Sequence, residues 1–220
     1  MSGSRENNRA YGILGGTFDP IHLGHVAIAR AVHDRFNLSM VFLVPAYRNP
    51  LRQNHEIIAS GDDRLEMARL ATRDENWIEV DPVEIERAGE NNEPSFTIDT
   101  LIHFNKRFSD SSLTLIVGAD NVALHKWHRA DEFTRYLSRI AVVSRPEYEK
   151  QMEESIRQVN KEIPELAEIV EFITDVNIGI SSTAIRESLS NGLIPPDSLH
   201  PDVERYITDH GLYGVNGGNS

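Results

Sequence analysis

The sequence predicts an α/β fold: a mostly parallel sheet flanked by helices, followed by a helical C-terminal portion. Three observations lead there. Short apolar runs bounded by turn residues recur along the first two thirds of the chain, and segments with helical spacing of apolar residues separate them. Several of the runs are apolar throughout rather than alternating, as strands covered on both faces are.

The first strand is read in YGILGG (11–16), with a helix over 23–36 behind it. MVFLVPA (40–46) is the second strand, followed by a helix over 61–73, and WIEVDPVEI (77–85) is the third. A helix over 97–108 precedes the strand LTLIVGAD (113–120), and a short helical segment over 131–137 leads into RIAVVSRP (139–146). Beyond 146 the charge-rich EYEKQMEESIRQVNKEIPEL reads as a solvated helix. EIVEFITDV, ISSTAIRESLSNG and PDVERYITDHGLYG then make the end largely helical. No repeat or Ser/Gly linker divides the chain, so residues 1–220 are expected to form one domain, with 1–8 and 215–220 disordered.

Composition narrows the function classes. The 220 residues carry 22 Lys and Arg against 34 Asp and Glu, a formal charge of −12, so the surface lacks the basic footprint of a nucleic-acid binder. An anionic ligand has to be held by a local pocket. There is no cysteine, which removes disulfides and thiolate metal sites and suits a reducing compartment. MSGSRENNRA at the start has no apolar core of a signal peptide, and nothing later reads as a membrane span. The expectation is a cytoplasmic protein without nucleic-acid or membrane partners.

The segment GGTFDPIHLGH (15–25) follows the first strand directly, where the carboxyl end of a parallel strand places ligands. Gly15 and Gly16 allow backbone N–H groups close to a phosphate, Thr17 adds a hydroxyl, and a helix opens near His22 with its unpaired N–H groups. His22 and His25, three apart, share one face of the first helical turn. Spacing alone leaves two capping or core histidines as open as two ligand contacts. A zinc pair lacks the H-E-x-x-H pattern, and neither G-x-G-x-x-G nor G-x-x-x-x-G-K-[ST] is present. HKWH (125–128) repeats the histidine spacing and reads as a polar loop.

GISSTAIRE (179–187) is a second loop entering a helix. Ser181, Ser182 and Thr183 offer capping hydroxyls, and Arg186, one turn in, leans back toward the helix start. A cation there opposes the helix dipole unless an anion lies between them, although an ordinary surface arginine has the same spacing. G-I-S-S-T lacks the last glycine of a nucleophile elbow, so a serine hydrolase is set aside.

Together the two segments resemble the HxGH nucleotidyltransferases, whose marks are GGTFDPxHxGH near the start and ISSTxIR near the end. The resemblance implies a Rossmann-like sheet with ATP phosphates held by Gly15, Gly16, Thr17 and His22. It also implies that His25 stabilises the reacting α-phosphate and that Ser181, Ser182 and Arg186 hold the β and γ phosphates. Phe18 and Ile180 belong to the same two motifs and are expected beside ATP. PSFTIDTL (94–101), IVGADNVALHKWHRADEF (116–133), VSRPEY (143–148) and HGLYG (210–214) are similar to bacterial nicotinate-nucleotide adenylyltransferases, so the likeness spans nearly the whole chain. In that family the matching positions place the nicotinate carboxylate at Ser95, Phe96 and Thr97, the pyridine ring on Trp127, and the adenosine at Gly118 and Asp120.

Two positions depart from the family. RNPLRQ stands where PPHK is usual, which leaves the mononucleotide phosphate to Arg52, and Phe96 replaces a tyrosine. The implied reaction transfers the adenylyl group of ATP to nicotinate mononucleotide, giving nicotinate adenine dinucleotide and pyrophosphate, with Mg²⁺ bound mainly through ATP oxygens. The mononucleotide phosphate is already ionised, so no general base is required. A preference for the nicotinamide form, a pantetheine-phosphate adenylyltransferase and a nucleotide sensor without turnover stay open as alternatives, as does homo-oligomerisation. Class I aminoacyl-tRNA synthetases share an HIGH-like signature, but this chain is short, acidic and without KMSKS.

Overall fold

A computed structural model describes residues 9–48, 57–91, 94–118, 123–144, 149–174, 176 and 179–215. Six strands, β1 (Ala10–Gly16), β2 (Met40–Pro45), β3 (Ile78–Val80), β4 (Ser112–Gly118), β5 (Arg139–Val143) and β6 (Val170–Ile173), form one sheet in the order β3-β2-β1-β4-β5-β6. Every pairing is parallel. The chain winds outward from β1 to β3, returns, and winds the other way from β4 to β6. The reversal lies between β1 and β4, and in such sheets the crevice outside the carboxyl ends of those strands receives the ligand.

Strand periodicity divides the core into two layers. Ile13 pairs with Phe42 and Leu115, and all three face one layer; Leu14 pairs with Leu43 and Ile116, which face the other. The first layer is closed by α4 (Thr97–Arg107) through Ile98, Leu101 and Phe104, and by α5 (Glu149–Glu162) and the short α6 (Pro164–Ala167) through Val159 and Leu166. The second is closed by α1 (Leu23–Phe36), α2 (Gly61–Thr72), α7 (Ser182–Ser190) and α8 (Pro201–Asp209), whose Ala29, Met67, Ile185 and Val203 are buried. The last two helices therefore cover the same side of the sheet as the first.

Local chemistry sets the helix ends. Asn37 stops α1 in a left-handed conformation, φ 48°, which asparagine tolerates. Ser60 and Asp63 form a reciprocal capping box at α2: the Asp63 N–H donates to Ser60 Oγ at 3.1 Å, and the Ser60 N–H donates to Asp63 Oδ2 at 3.3 Å.

Three sequence expectations are corrected. Only Ile78–Val80 of the 77–85 run is strand, because Asp81 Oδ1 accepts the Val83 N–H at 3.0 Å and, with Pro82, starts helix α3 (Val83–Asn91). Residues 170–173 form the edge strand β6, not helix, with β-branched and aromatic residues paired to β5. The helical segment near 131–137 is a 3-10 run over Ala130–Arg135. Residues 119–120 and 145–146 of the expected strands, and 1–8 and 216–220 of the expected disorder, lie outside the described residues. Among the described residues no helix is long and apolar enough to cross a membrane.

Phe104 is fully buried, 4.9 Å from the Phe42 ring. Phe104→Ala is expected to lower the unfolding free energy by about 3–5 kcal/mol, read by denaturant titration.

Candidate active site

The end of β1 turns sharply through Thr17, Phe18, Asp19 and Pro20 before α1 begins. Phe18 is left-handed, φ 51°, and its ring is 1 % exposed, lying under Gly16 and edge-on to His25 at 4.9 Å. A Cβ at Gly16 would come within 2.7 Å of that ring, so close approach demands glycine there. At Gly15 a Cβ would meet no heavy atom of the described residues within 4 Å, and the residue is exposed. The described residues give no packing reason for a glycine at 15. Phe18, expected beside ATP, offers a ligand its backbone only, since its side chain belongs to the core.

His22 is the N-cap of α1, and its ring stacks on His25 with centroids 3.7 Å apart. The His22 N–H donates to Nδ1 of His25 at 3.2 Å. A ring nitrogen that accepts leaves the proton on the other, so neutral His25 carries its hydrogen on Nε2 and can donate from there. Burial lowers the pKa of His25 to about 3, so the imidazole is a neutral donor in the free protein rather than a cation.

The C-terminal motif docks on this turn. Ser182 Oγ donates to the Pro20 carbonyl at 3.0 Å, and Arg186 Nη1 donates to the Asp19 carbonyl at 2.7 Å. Ser181 caps α7, accepting the Ala184 N–H at 3.2 Å, and Arg186 Nη2 reaches back to Thr183 Oγ1 at 3.4 Å, the lean expected of a helical arginine. Two segments about 160 residues apart in sequence thus form one wall. Ile180 is partly buried against the core beside it.

The sequence reading missed the group that joins this wall to the next strand. Arg64, on α2, is 1 % exposed; its Nη1 donates to the Thr17 carbonyl at 2.7 Å and to the Ala46 carbonyl at 2.6 Å. Beyond Ala46, the Tyr47 N–H donates to Ser95 Oγ at 3.0 Å, and the Ser95 N–H donates to the Arg48 carbonyl at 3.0 Å. An arginine inside an ordinary amphipathic segment gives no sequence signal of burial. Three acidic residues within five positions, Asp62, Asp63 and Glu66, make it read as a solvated face instead.

The second half of the crevice is built on the start of α4. Ser95 is buried, and its hydroxyl also bonds the buried Glu84, which accepts from Thr100 Oγ1 at 2.6 Å and whose pKa is raised by burial. Both polar groups of Ser95 are therefore engaged within the chain, and a ligand at this helix start is offered the N–H groups that follow it, at Phe96 and Thr97. The Phe96 ring lies 4.5 Å from that of His128, which brings the 125–128 loop onto α4. Trp127 is partly buried, edge-on to Phe133 at 6.0 Å, and its indole N–H has no partner among the described residues. Gly118 ends β4, two residues beyond the Ile116 that pairs with Leu14. Arg52 and Asp120 lie outside the described residues. Among the described residues no group of three or more His, Cys, Asp or Glu could hold a metal ion.

The strand order, the glycine turn and the histidine pair on its helix start are those of a nucleotide-binding α/β protein. The chain belongs to the cytidylyltransferase-like family, whose model matches residues 13–188. Within it, this chain is 37 % identical over 92 % of its length to a Herpetosiphon aurantiacus protein named "Probable nicotinate-nucleotide adenylyltransferase", 97 % of which is covered. A Geobacillus thermodenitrificans protein of the same name is 35 % identical over 93 % of this chain and 86 % of its own. The fold matches that of Plasmodium falciparum nicotinic acid mononucleotide adenylyltransferase complexed with NaAD, with a TM-score of 0.72 at 16 % identity, covering 94 % of this chain and 98 % of that one.

Gly15→Ala is expected to leave thermal stability unchanged yet weaken ATP binding, whereas Gly16→Ala lowers stability through the Phe18 contact; melting curves with and without nucleotide separate them. His25 should stay neutral and Nε2-protonated at pH 5.5 in nitrogen-detected NMR. Because its folded pKa lies below its unfolded one, the stability it contributes is complete above about pH 6.5 and declines as pH falls toward 3.

Proposed function

We propose that the chain transfers the adenylyl group of ATP to nicotinate mononucleotide, forming nicotinate adenine dinucleotide and releasing pyrophosphate. The observation that carries this reading is the docking of Ser182 and Arg186 on the Pro20 and Asp19 carbonyls, which turns two anion-friendly helix starts into one site. A triphosphate laid across that wall meets the β1 turn at its α-phosphate end and the α7 start with Arg186 at its β and γ end.

In the proposed step a phosphate oxygen of the mononucleotide attacks the α-phosphorus in line. A new P–O bond forms, the bond from Pα to its bridging oxygen breaks, and the electron pair leaves with pyrophosphate. The nucleophile is already an anion, so no side chain takes a proton. What the chain supplies is position and charge compensation. His25, neutral and fixed by the His22 N–H, points its Nε2–H as a preset donor for charge on the α-phosphate. The backbone of Gly15, Gly16 and Phe18, with Thr17 and His22, holds the neighbouring oxygens, and Ser181, Ser182 and Arg186 receive the leaving group.

Gly118 and Asp120 are assigned to the adenosine, and Arg52 to the mononucleotide phosphate. The nicotinate carboxylate is assigned to the N–H groups of Phe96 and Thr97, with Ser95 setting their position and Trp127 beside the ring. The described donors form no carboxylate cage, so Mg²⁺ is proposed to enter on ATP oxygens and water, where it compensates phosphate charge. We also read residues 1–220 as one nucleotidyltransferase domain acting in the cytoplasm, without nucleic-acid partners, in keeping with the formal charge of −12.

Pyrophosphate release from Mg·ATP, compared across nicotinate mononucleotide, nicotinamide mononucleotide and phosphopantetheine, tests the reading. Strong preference for the nicotinate form supports it; equal activity with the amide removes the carboxylate assignment, and ATP binding without release with any of them makes the protein a sensor. His25→Ala is expected to lose at least about 10²-fold in kcat, the scale of one preset donor. Arg186→Ala should raise the KM for ATP as well as lower kcat, in the same assay.

A further inference from the structure

The C-terminal turn is assigned no contact with either substrate, yet it reaches the middle of the site. Tyr213, in a 3-10 turn over Leu212–Gly214, donates its hydroxyl hydrogen to Asp19 Oδ1 at 2.7 Å, and both groups are buried. The same oxygen accepts the Ala59 N–H at 3.1 Å, and Oδ2 accepts the Ile58 N–H at 2.9 Å. The main-chain oxygen of Asp19 is the one that seats Arg186. One residue thus fixes the β1 turn, the segment leading into α2 and the guanidinium of α7.

We propose that Tyr213 is a positioning residue for the nucleotide site: its hydroxyl fixes the Asp19 carboxylate, and through it the turn that presents Thr17 and seats Ser182 and Arg186. The inference rests on the adenylyl-transfer reading of that site. Backbone geometry supports it. Tyr213 is left-handed, φ 57° and ψ 24°, between Gly211 at 60° and Gly214 at 80°, and Phe18 beside Asp19 is left-handed too. A bulky residue in that region is unfavourable and persists where its surroundings over-determine it, as at functional sites. A turn needing only a backbone reversal would be better served by a third glycine.

Filling the cavity does not account for the hydroxyl either, since a phenylalanine would occupy the same volume. Burial and the adjacent Asp19 push the Tyr213 pKa far above the ordinary tyrosine value, which keeps the phenol a donor; Arg64 and Arg186 oppose that shift from the other sides. Without the hydroxyl, the Asp19 carboxylate keeps its two N–H donors. The turn therefore stays folded but loses its restraint on the C-terminal side.

The test is Tyr213→Phe, assayed in steady state with Mg·ATP and nicotinate mononucleotide and by calorimetric binding of a non-hydrolysable ATP analogue. The expected result is about a tenfold rise in ATP KM and analogue Kd, the order of one hydrogen bond to a charged group, with a smaller change in kcat. A folded Tyr213→Phe protein with unchanged ATP KM and analogue Kd overturns the proposal. In an Asp19→Ala background, which removes the acceptor, adding Tyr213→Phe should cost no further affinity; an additive loss would show that the hydroxyl does not act through Asp19. Absence of turnover in the unaltered protein would strike the adenylyl-transfer reading alone, because analogue binding still reports on Tyr213.

Discussion

A guanidinium beneath the floor of the crevice is the constraint on which the rest of the site depends. Arg64 joins the Thr17 and Ala46 carbonyls, and so the turns after two adjacent strands, with donors that are otherwise sealed from water. A buried charge is tolerated only where hydrogen bonds replace its hydration, and arginine cannot escape by losing its proton. The carbonyls of both turns therefore have to point inward, at the guanidinium. In the Thr17–Phe18 peptide this turns the Phe18 N–H away from the guanidinium, while the Tyr47 N–H of the other peptide is taken by Ser95 Oγ at 3.0 Å. The field of Asp19 also acts on Arg64, so the cation is balanced from the same turn that it holds.

This arrangement explains how a chain with a formal charge of −12 presents a site for polyanions. The positive elements are few and local: a guanidinium below, another on α7, and helix starts at α1 and α7 whose dipoles point at the turn. His25 adds a donor without adding net charge. A neutral imidazole whose tautomer is set by a backbone N–H needs no reorganisation when charge develops, which is the condition under which a hydrogen bond contributes most to a transition state.

Much of this was legible in the residues themselves. The parallel sheet followed from apolar runs alternating with helical spacing, and the two segments that meet at the β1 turn were visible because glycines, capping hydroxyls and an inward-leaning arginine each have a local physical signature. What stayed hidden was long-range. Arg64 looks like any arginine on a charged helix, Tyr213 like any tyrosine in a turn, and only packing puts them under Asp19. The run 77–85 misled for the converse reason: its apolar residues fit a strand, but the Asp81–Pro82 pair imposes a helix start that periodicity does not register. Ser95 lies at the start of α4, and its hydroxyl and N–H are committed to Tyr47, Glu84 and Arg48, partners that no spacing rule connects.

The contacts of Asp19 with Arg186 and Tyr213 span 167 and 194 residues. Synthesis makes the glycine turn first and the groups that brace it last, while β4, β5 and β6 are laid down in between. The sheet can therefore assemble around β1 during translation, but the nucleotide site matures only after α7 and the final turn have emerged and folded back. Nascent chains would pass through a stage with much of their core formed and no competent pocket, so ligand rescue of folding by ATP can begin only once Tyr213 has emerged.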